Sequence, residues 1–177
     1  MTGPDQVRRS RPEAPLTEQQ QEASEDAVMT RIGQAVILLH AGDREEARNR
    51  LREIWSEIGE DGASLHRCTL AHYMADAQDD PADELAWDLR ALGAADGIGE
   101  AVRDFYPSLH LSLAADYVKL ERPEAARVHL ARARAATLAL PDDRYGTGVR
   151  DAIARLERLL AQDDAGPGPR PFPEQSP

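Results

Sequence analysis

Apolar residues recur along this chain at three- and four-residue intervals, the period of an amphipathic helix, in seven successive runs. Thr17 is an N-cap residue with Glu18 behind it to favour the helix dipole, so a first helix is predicted from there to about Ala41. Its stripe is Val28, Ile32, Ala35, Val36 and Leu39. Gly42-Asp43 breaks that helix, and Asp43 caps a second one carrying Ala47, Leu51, Ile54, Trp55 and Ile58. Gly59 and Gly62 punctuate before a third helix with Leu65, Leu70, Ala71, Met74 and Ala77. Asp79-Asp80-Pro81 reads as a cap followed by a first-turn proline. The fourth helix then carries Leu85, Ala86, Leu89 and Leu92 and ends between Gly93 and Gly99. A short irregular segment spans 100–105. Pro107 opens a fifth helix with Leu109, Leu113, Ala114 and Tyr117. Arg122-Pro123 separates it from a sixth with Ala126, Leu130 and Ala133, which stops before Pro141. A seventh helix carries Val149, Ile153, Leu156 and Leu160.

Helices joined by turns this short pack as antiparallel neighbours. The pairs also repeat. Gly42-Asp43-Arg44-Glu45-Glu46-Ala47 is a turn of small residue, acidic cap and small packing residue, with Leu51 and Ile54 at +4 and +7 from Ala47. Leu113-Ala114 and Tyr117, followed by Ala126, Leu130 and Ala133, repeat the pattern; Leu70-Ala71 and Met74, followed by Leu85, Leu89 and Leu92, do so more loosely. These segments resemble the tetratricopeptide repeat (TPR) family over about 28–141. The stretches HRCTLAHYMADAQDDPADELAWDLRAL and FYPSLHLSLAADYVKL are similar to small TPR proteins of high-GC bacteria. The chain departs from the family at Arg31, Arg67 and His110, where a large apolar residue is usual, and in repeat spacings of 36 and 43 residues against the standard 34. The resemblance implies an all-α fold: three antiparallel helical hairpins stacked as a short right-handed solenoid, closed by a C-terminal capping helix. The expected organisation is a disordered N-terminal arm at 1–16, the helical domain at 17–162, and a disordered Pro/Gly-rich tail at 163–177.

Composition agrees with this picture. Alanine occupies 29 of the 177 positions and aromatics only 5%, which suits closely approaching helices and suits a sheet poorly. The net charge is −11, unevenly spread: −9 between Asp43 and Asp104, and +3 between Lys119 and Arg158. An acidic surface of this kind disfavours nucleic acid and anionic lipid. The basic end (Arg122, Arg127, Arg132, Arg134, Arg144) has no interleaved aromatics or recognition-helix pattern. Cys68 is the single cysteine, so no internal disulfide forms, and a reducing compartment fits. No apolar run approaches membrane-spanning length. The expectation is a soluble, cytoplasmic protein.

The sharpest chemical candidate is Cys68, His72 and Asp76, which share a helix face at i, i+4 and i+8. A metal site there needs a further ligand, with His40 as the donor at hand. A thiol nucleophile needs an activated thiolate and an oxyanion pocket, and no glycine-rich turn stands beside Cys68. Groove lining is the simpler reading. His66 and His110, both in Ser-Leu-His segments, read as structural. Trp55 and Trp87 read as packing between hairpins, and Phe105-Tyr106 as a staple at the start of the fifth helix. Asp79, Asp80, Asp83 and Glu84 read as capping and dipole residues, since they lack a calcium loop's glycine and ligand alternation. No nucleotide-binding or hydrolase motif is present.

The expected function is therefore a non-enzymatic, cofactor-free interaction module. The resemblance implies that a peptide or protein segment lies in a concave groove lined by first helices, with Val36, His40, Cys68, His72, Asp76, Leu111, Ala115 and Lys119 as the groove surface. Asp76 and Lys119 would mark its opposite ends. Two alternatives stand beside it: a homo-oligomer whose groove is filled by another copy, and a metal- or thiol-dependent site at Cys68.

Overall fold

The computed structural model describes residues 17–99 and 103–164. The expected arm at 1–16, residues 100–102 of the irregular segment, and the tail beyond Asp164 lie outside them. Seven α-helices and no strands occur among the described residues: α1 (Glu18–His40), α2 (Arg44–Ile58), α3 (Ser64–Asp76), α4 (Pro81–Ala95), α5 (Tyr106–Lys119), α6 (Pro123–Ala136) and α7 (Arg144–Asp164). A 3-10 turn, Thr137–Ala139, follows α6. No helix there is long and apolar enough to cross a membrane.

The helix ends follow from local chemistry. Thr17 forms a capping box with Gln20: its hydroxyl accepts from the Gln20 amide while the Gln20 side chain accepts from the Thr17 amide at 3.0 Å. Gly42, at φ +91°, turns the chain out of α1, and the Asp43 and Gly42 amides bond back to the Leu38 and Leu39 carbonyls. The Asp43 carboxylate then caps α2. Asp80 caps α4 by accepting from the Ala82 amide at 2.8 Å, with Pro81 in the first turn. At the end of α5 the turn used by Gly42 is made by Glu121, at φ +56°.

Consecutive helices pack against each other throughout; α1 also meets α3, and α5 meets α7. The buried apolar residues form three clusters, each spanning three helices. Ile32, Leu51, Ile54, Leu70 and Met74 join α1, α2 and α3. Cys68, Ala71, Ala91, Ala95 and Leu109 join α3, α4 and α5. Ala114, Ala126, Leu130, Ala133, Val149 and Ile153 join α5, α6 and α7. Alanines are buried in all three, which lets the helix axes approach. Trp55 and Trp87 meet edge-to-face, ring centroids 5.0 Å apart, and tie α2 to α4 as the sequence suggested.

Two faces differ from the expected stripes. On α4, Leu89 is 44% exposed while Asp88 is buried; the buried face is Leu85, Asp88, Ala91 and Ala95. On α5 the buried set is Leu109, Leu113, Ala114 and Asp116, with Tyr117 at its edge. Leu65 is also exposed. In each helix an aspartate takes a core position, and the reason lies in the partner it meets there.

Arg31, Arg67 and His110, which stand where a large apolar residue was expected, have polar partners. Arg31 forms a two-pronged ion pair with Glu57 of α2. Arg67 donates to the Glu60 carbonyl at 2.9 Å and lies over the Trp55 ring. His110 meets His129 of α6, Nδ1 to Nδ1 at 3.1 Å, between the rings of Tyr106 and Tyr117. The acidic turn before α4 does more than cap. Asp79 pairs with Arg48 of α2, which also donates to the Ala77 carbonyl, while Arg44 donates to the carbonyls of Asp76 and Gln78. These two arginines satisfy backbone acceptors at the C-terminal end of α3.

Candidate functional site

Asp88 and Asp116 are each 1% exposed, on α4 and α5, and close enough for each carboxyl to feel the other's charge. Two buried carboxylates in contact do not both ionise. Burial, reinforced by the charges of Asp88 and Glu84, pushes Asp116 up to about 8, against the opposing pull of Lys119. Asp116 is therefore the acid of the pair that keeps its proton near neutral pH. Its Oδ2 atom is buried with no hydrogen-bond partner among the described residues.

The cluster extends to both sides of this pair. His72 Nδ1 lies 3.2 Å from Asp88 Oδ1. Burial opposes a charge on His72, but the hydrogen bond to Asp88 and the Asp88 and Asp76 carboxylates outweigh it and raise its pKa. Asp76 is raised as well, by burial first, with His72 and Lys119 pulling it down and Asp88 and Glu84 adding to the rise. Lys119 Nζ sits 2.5 Å from Glu84 and 3.7 Å from Asp116 Oδ1. One network thus runs from the α3 imidazole through buried acids to the α5 ammonium.

His72 also lines a pocket of about 340 Å³. Cys68, Thr69, His72 and Tyr73 come from α3, while Asp104, Phe105, Ser108 and Leu109 come from the start of α5 and the turn before it. Tyr145, in the first turn of α7, closes the set. The Tyr145 hydroxyl donates to the Asp104 carbonyl at 3.0 Å, and Ser108 donates to the Phe105 carbonyl at 2.8 Å. With His72 Nδ1 held by Asp88, the imidazole is oriented by a buried carboxylate, leaving Nε2 as its other polar atom. An apolar pocket with few oriented polar groups is the usual form of a binding site.

The groove residues named from the sequence divide between environments. Cys68 and His72 meet at this pocket, and His72, Asp76 and Lys119 share the charge network. Asp76 and Lys119 do not mark opposite ends of a groove: each contributes to the same cluster. Val36 packs against the α1–α3 cluster and Leu111 against the α5–α7 cluster. His40 is exposed at the end of α1, and Ala115 is half-buried on α5; neither lines the pocket. His72 takes Asp88 of α4 as its hydrogen-bond partner, not its helix neighbour Asp76. Burial, with the Asp88 charge behind it, pushes the Cys68 thiol up to about 11, the opposite of an activated nucleophile. Among the described residues no group of three or more His, Cys, Asp and Glu side chains is placed to hold a metal ion.

Asp88, Asp116, Tyr73 and Tyr145 were not singled out by the sequence, and Phe105 only as a staple. The spacing held a signal for the two acids: Asp88 lies midway between Leu85 and Ala91, and Asp116 three residues after Leu113. Compared with known protein families, curated proteins and solved structures, the chain matches none.

Proposed function

We propose that this chain is a TPR-like helical repeat protein that binds a segment of another protein and carries out no catalysis. On this reading α1/α2, α3/α4 and α5/α6 are antiparallel hairpins stacked as a short right-handed solenoid, and α7 caps the stack. The observation that carries it is the origin of the pocket: its lining comes from α3, α5 and α7, alternate helices of the chain, with the turn before α5. Alternate helices form the inner face of a stacked-hairpin solenoid, where such proteins hold extended segments. The contacts of α1 with α3 and of α5 with α7 support the same stacking. The overall charge of −11 favours a protein partner over nucleic acid or an anionic membrane. A free, buried Cys68 suits a reducing, cytoplasmic setting.

The test is selection from a random peptide library displayed on phage, using the full chain as bait. Selected peptides are expected to lose affinity for Phe105→Ala and Ser108→Arg, which alter the pocket. They should keep it for Val128→Asp, on the exposed side of α6. Failure to enrich any peptide, or equal binding by all three variants, overturns the proposal.

A further inference from the structure

Resting on that reading, we infer that the pocket between α3, α5 and α7 receives one arginine side chain of the bound segment. Three aromatic rings, Tyr73, Phe105 and Tyr145, reach it from three separate parts of the chain, with the His72 imidazole beside them. Aromatic faces attract cations, and the planar, weakly hydrated guanidinium stacks on them better than an ammonium does. None of the described lining residues is a lysine or arginine.

Carboxylates stand close to the rings. Asp104 is one of the lining residues, and the Asp76 carboxylate lies close enough to Tyr73 to raise its hydroxyl pKa, after burial and ahead of Tyr145. Charge on His72 is balanced within hydrogen-bonding distance by Asp88. Of the lining, all but Phe105, Ser108, Leu109 and Tyr145 come from the acidic stretch 43–104. Leu109 and Cys68 offer an apolar wall for the three methylenes of an arginine stem. At the head, the Ser108 oxygen has already donated its proton to the Phe105 carbonyl and remains an acceptor, as does the Asp104 carbonyl with its second lone pair. The chain uses the same pairing elsewhere: Arg90 lies over the Trp87 ring with its guanidinium carbon 4.7 Å from the centroid.

The probe is N-acetyl-arginine methylamide, titrated into the full chain while the ring signals of Tyr73 and Tyr145 are followed by NMR. The citrulline analogue keeps the shape without the charge, and the leucine analogue keeps only apolar bulk. Arginine is expected to saturate with a Kd on the order of 1–10 mM, and citrulline to bind roughly tenfold more weakly. Phe105→Ala and Tyr145→Ala should weaken arginine binding several-fold, while Tyr145→Phe keeps it; circular dichroism checks that each variant is folded. Equal affinity for citrulline and arginine, tighter binding of leucine, or unmoved Tyr73 and Tyr145 signals overturns the inference. Failure here is separable from failure of the groove. Library peptides that need Phe105 but carry no arginine would sink the arginine assignment alone. Saturable arginine binding with no enriched peptide would sink the groove alone.

Discussion

Replacing Asp116 by asparagine tests the buried acid pair directly. A protonated Asp116 is neutral, and an asparagine amide of nearly the same shape fills its space without being able to ionise. The substitution removes only the capacity to ionise. In the folded chain Asp116 sits at about 8, against an ordinary value of 3.8. Between those pH values the folded state holds a proton that the unfolded state has released, so wild-type stability falls as pH rises across that window. The slope for one proton is about 1.4 kcal/mol per pH unit at its steepest. Summed over the window this one group contributes at most on the order of 5 kcal/mol. Urea unfolding of wild type and Asp116→Asn at intervals from about pH 5 to about pH 8 reads this group together with its effect on the neighbouring Asp88 carboxylate. The variant should lie within about 1 kcal/mol of wild type at the acid end and gain on it steadily towards the alkaline end. A stability difference that stays flat across the series would refute the raised Asp116 carboxyl. So would a variant less stable than wild type at every pH.

Other parts of the fold make separate predictions. His110 is pushed down to about 4 by burial, His129 and Arg132, and His129 is lowered by burial and Arg132, so folding disfavours a charge on either ring. Stability carried by this pair is present above the ordinary histidine pKa near 6.5 and is lost as pH falls from there towards about 4; His110→Gln should show a smaller drop in Tm over that range. Glu121→Gly should stabilise the chain by about 0.5–1 kcal/mol in urea unfolding, because Glu121 alone among non-glycine described residues holds a positive φ. Cys68 should react with a disulfide reagent far more slowly in the native chain than in urea, since burial suppresses the thiolate; an equal rate would mean that the thiol lies open.

Helix positions were legible because their signals are local. Thr17, Asp43 and the Asp80-Pro81 pair each declare a helix start within a few residues, and the structure uses all three as caps. The stripes on α2 and α6 were equally plain, since Ala47, Leu51 and Ile54, and Ala126, Leu130 and Ala133, are apolar and buried. Asp88 and Asp116 were hidden because hydropathy assigns a carboxylate to the surface, and only the partner across the helix interface reverses that. Leu89 was misplaced for the same reason: α4 is rotated so that Asp88 reaches His72 and Asp116. The pocket was out of reach because Cys68 and Tyr145 meet only when α3, α5 and α7 converge. His72 was found through its spacing from Cys68, although its hydrogen-bond partner lies on another helix.

Arg44 and Arg48 hook the carbonyls of Asp76, Ala77 and Gln78, at the end of the helix that carries His72. Neither arginine lines the pocket, yet both steady the backbone one turn beyond its imidazole. A shortened chain lacking the first two helices would leave those carbonyls to water and let that end fray. The receptacle would then loosen from behind, with every wall residue intact.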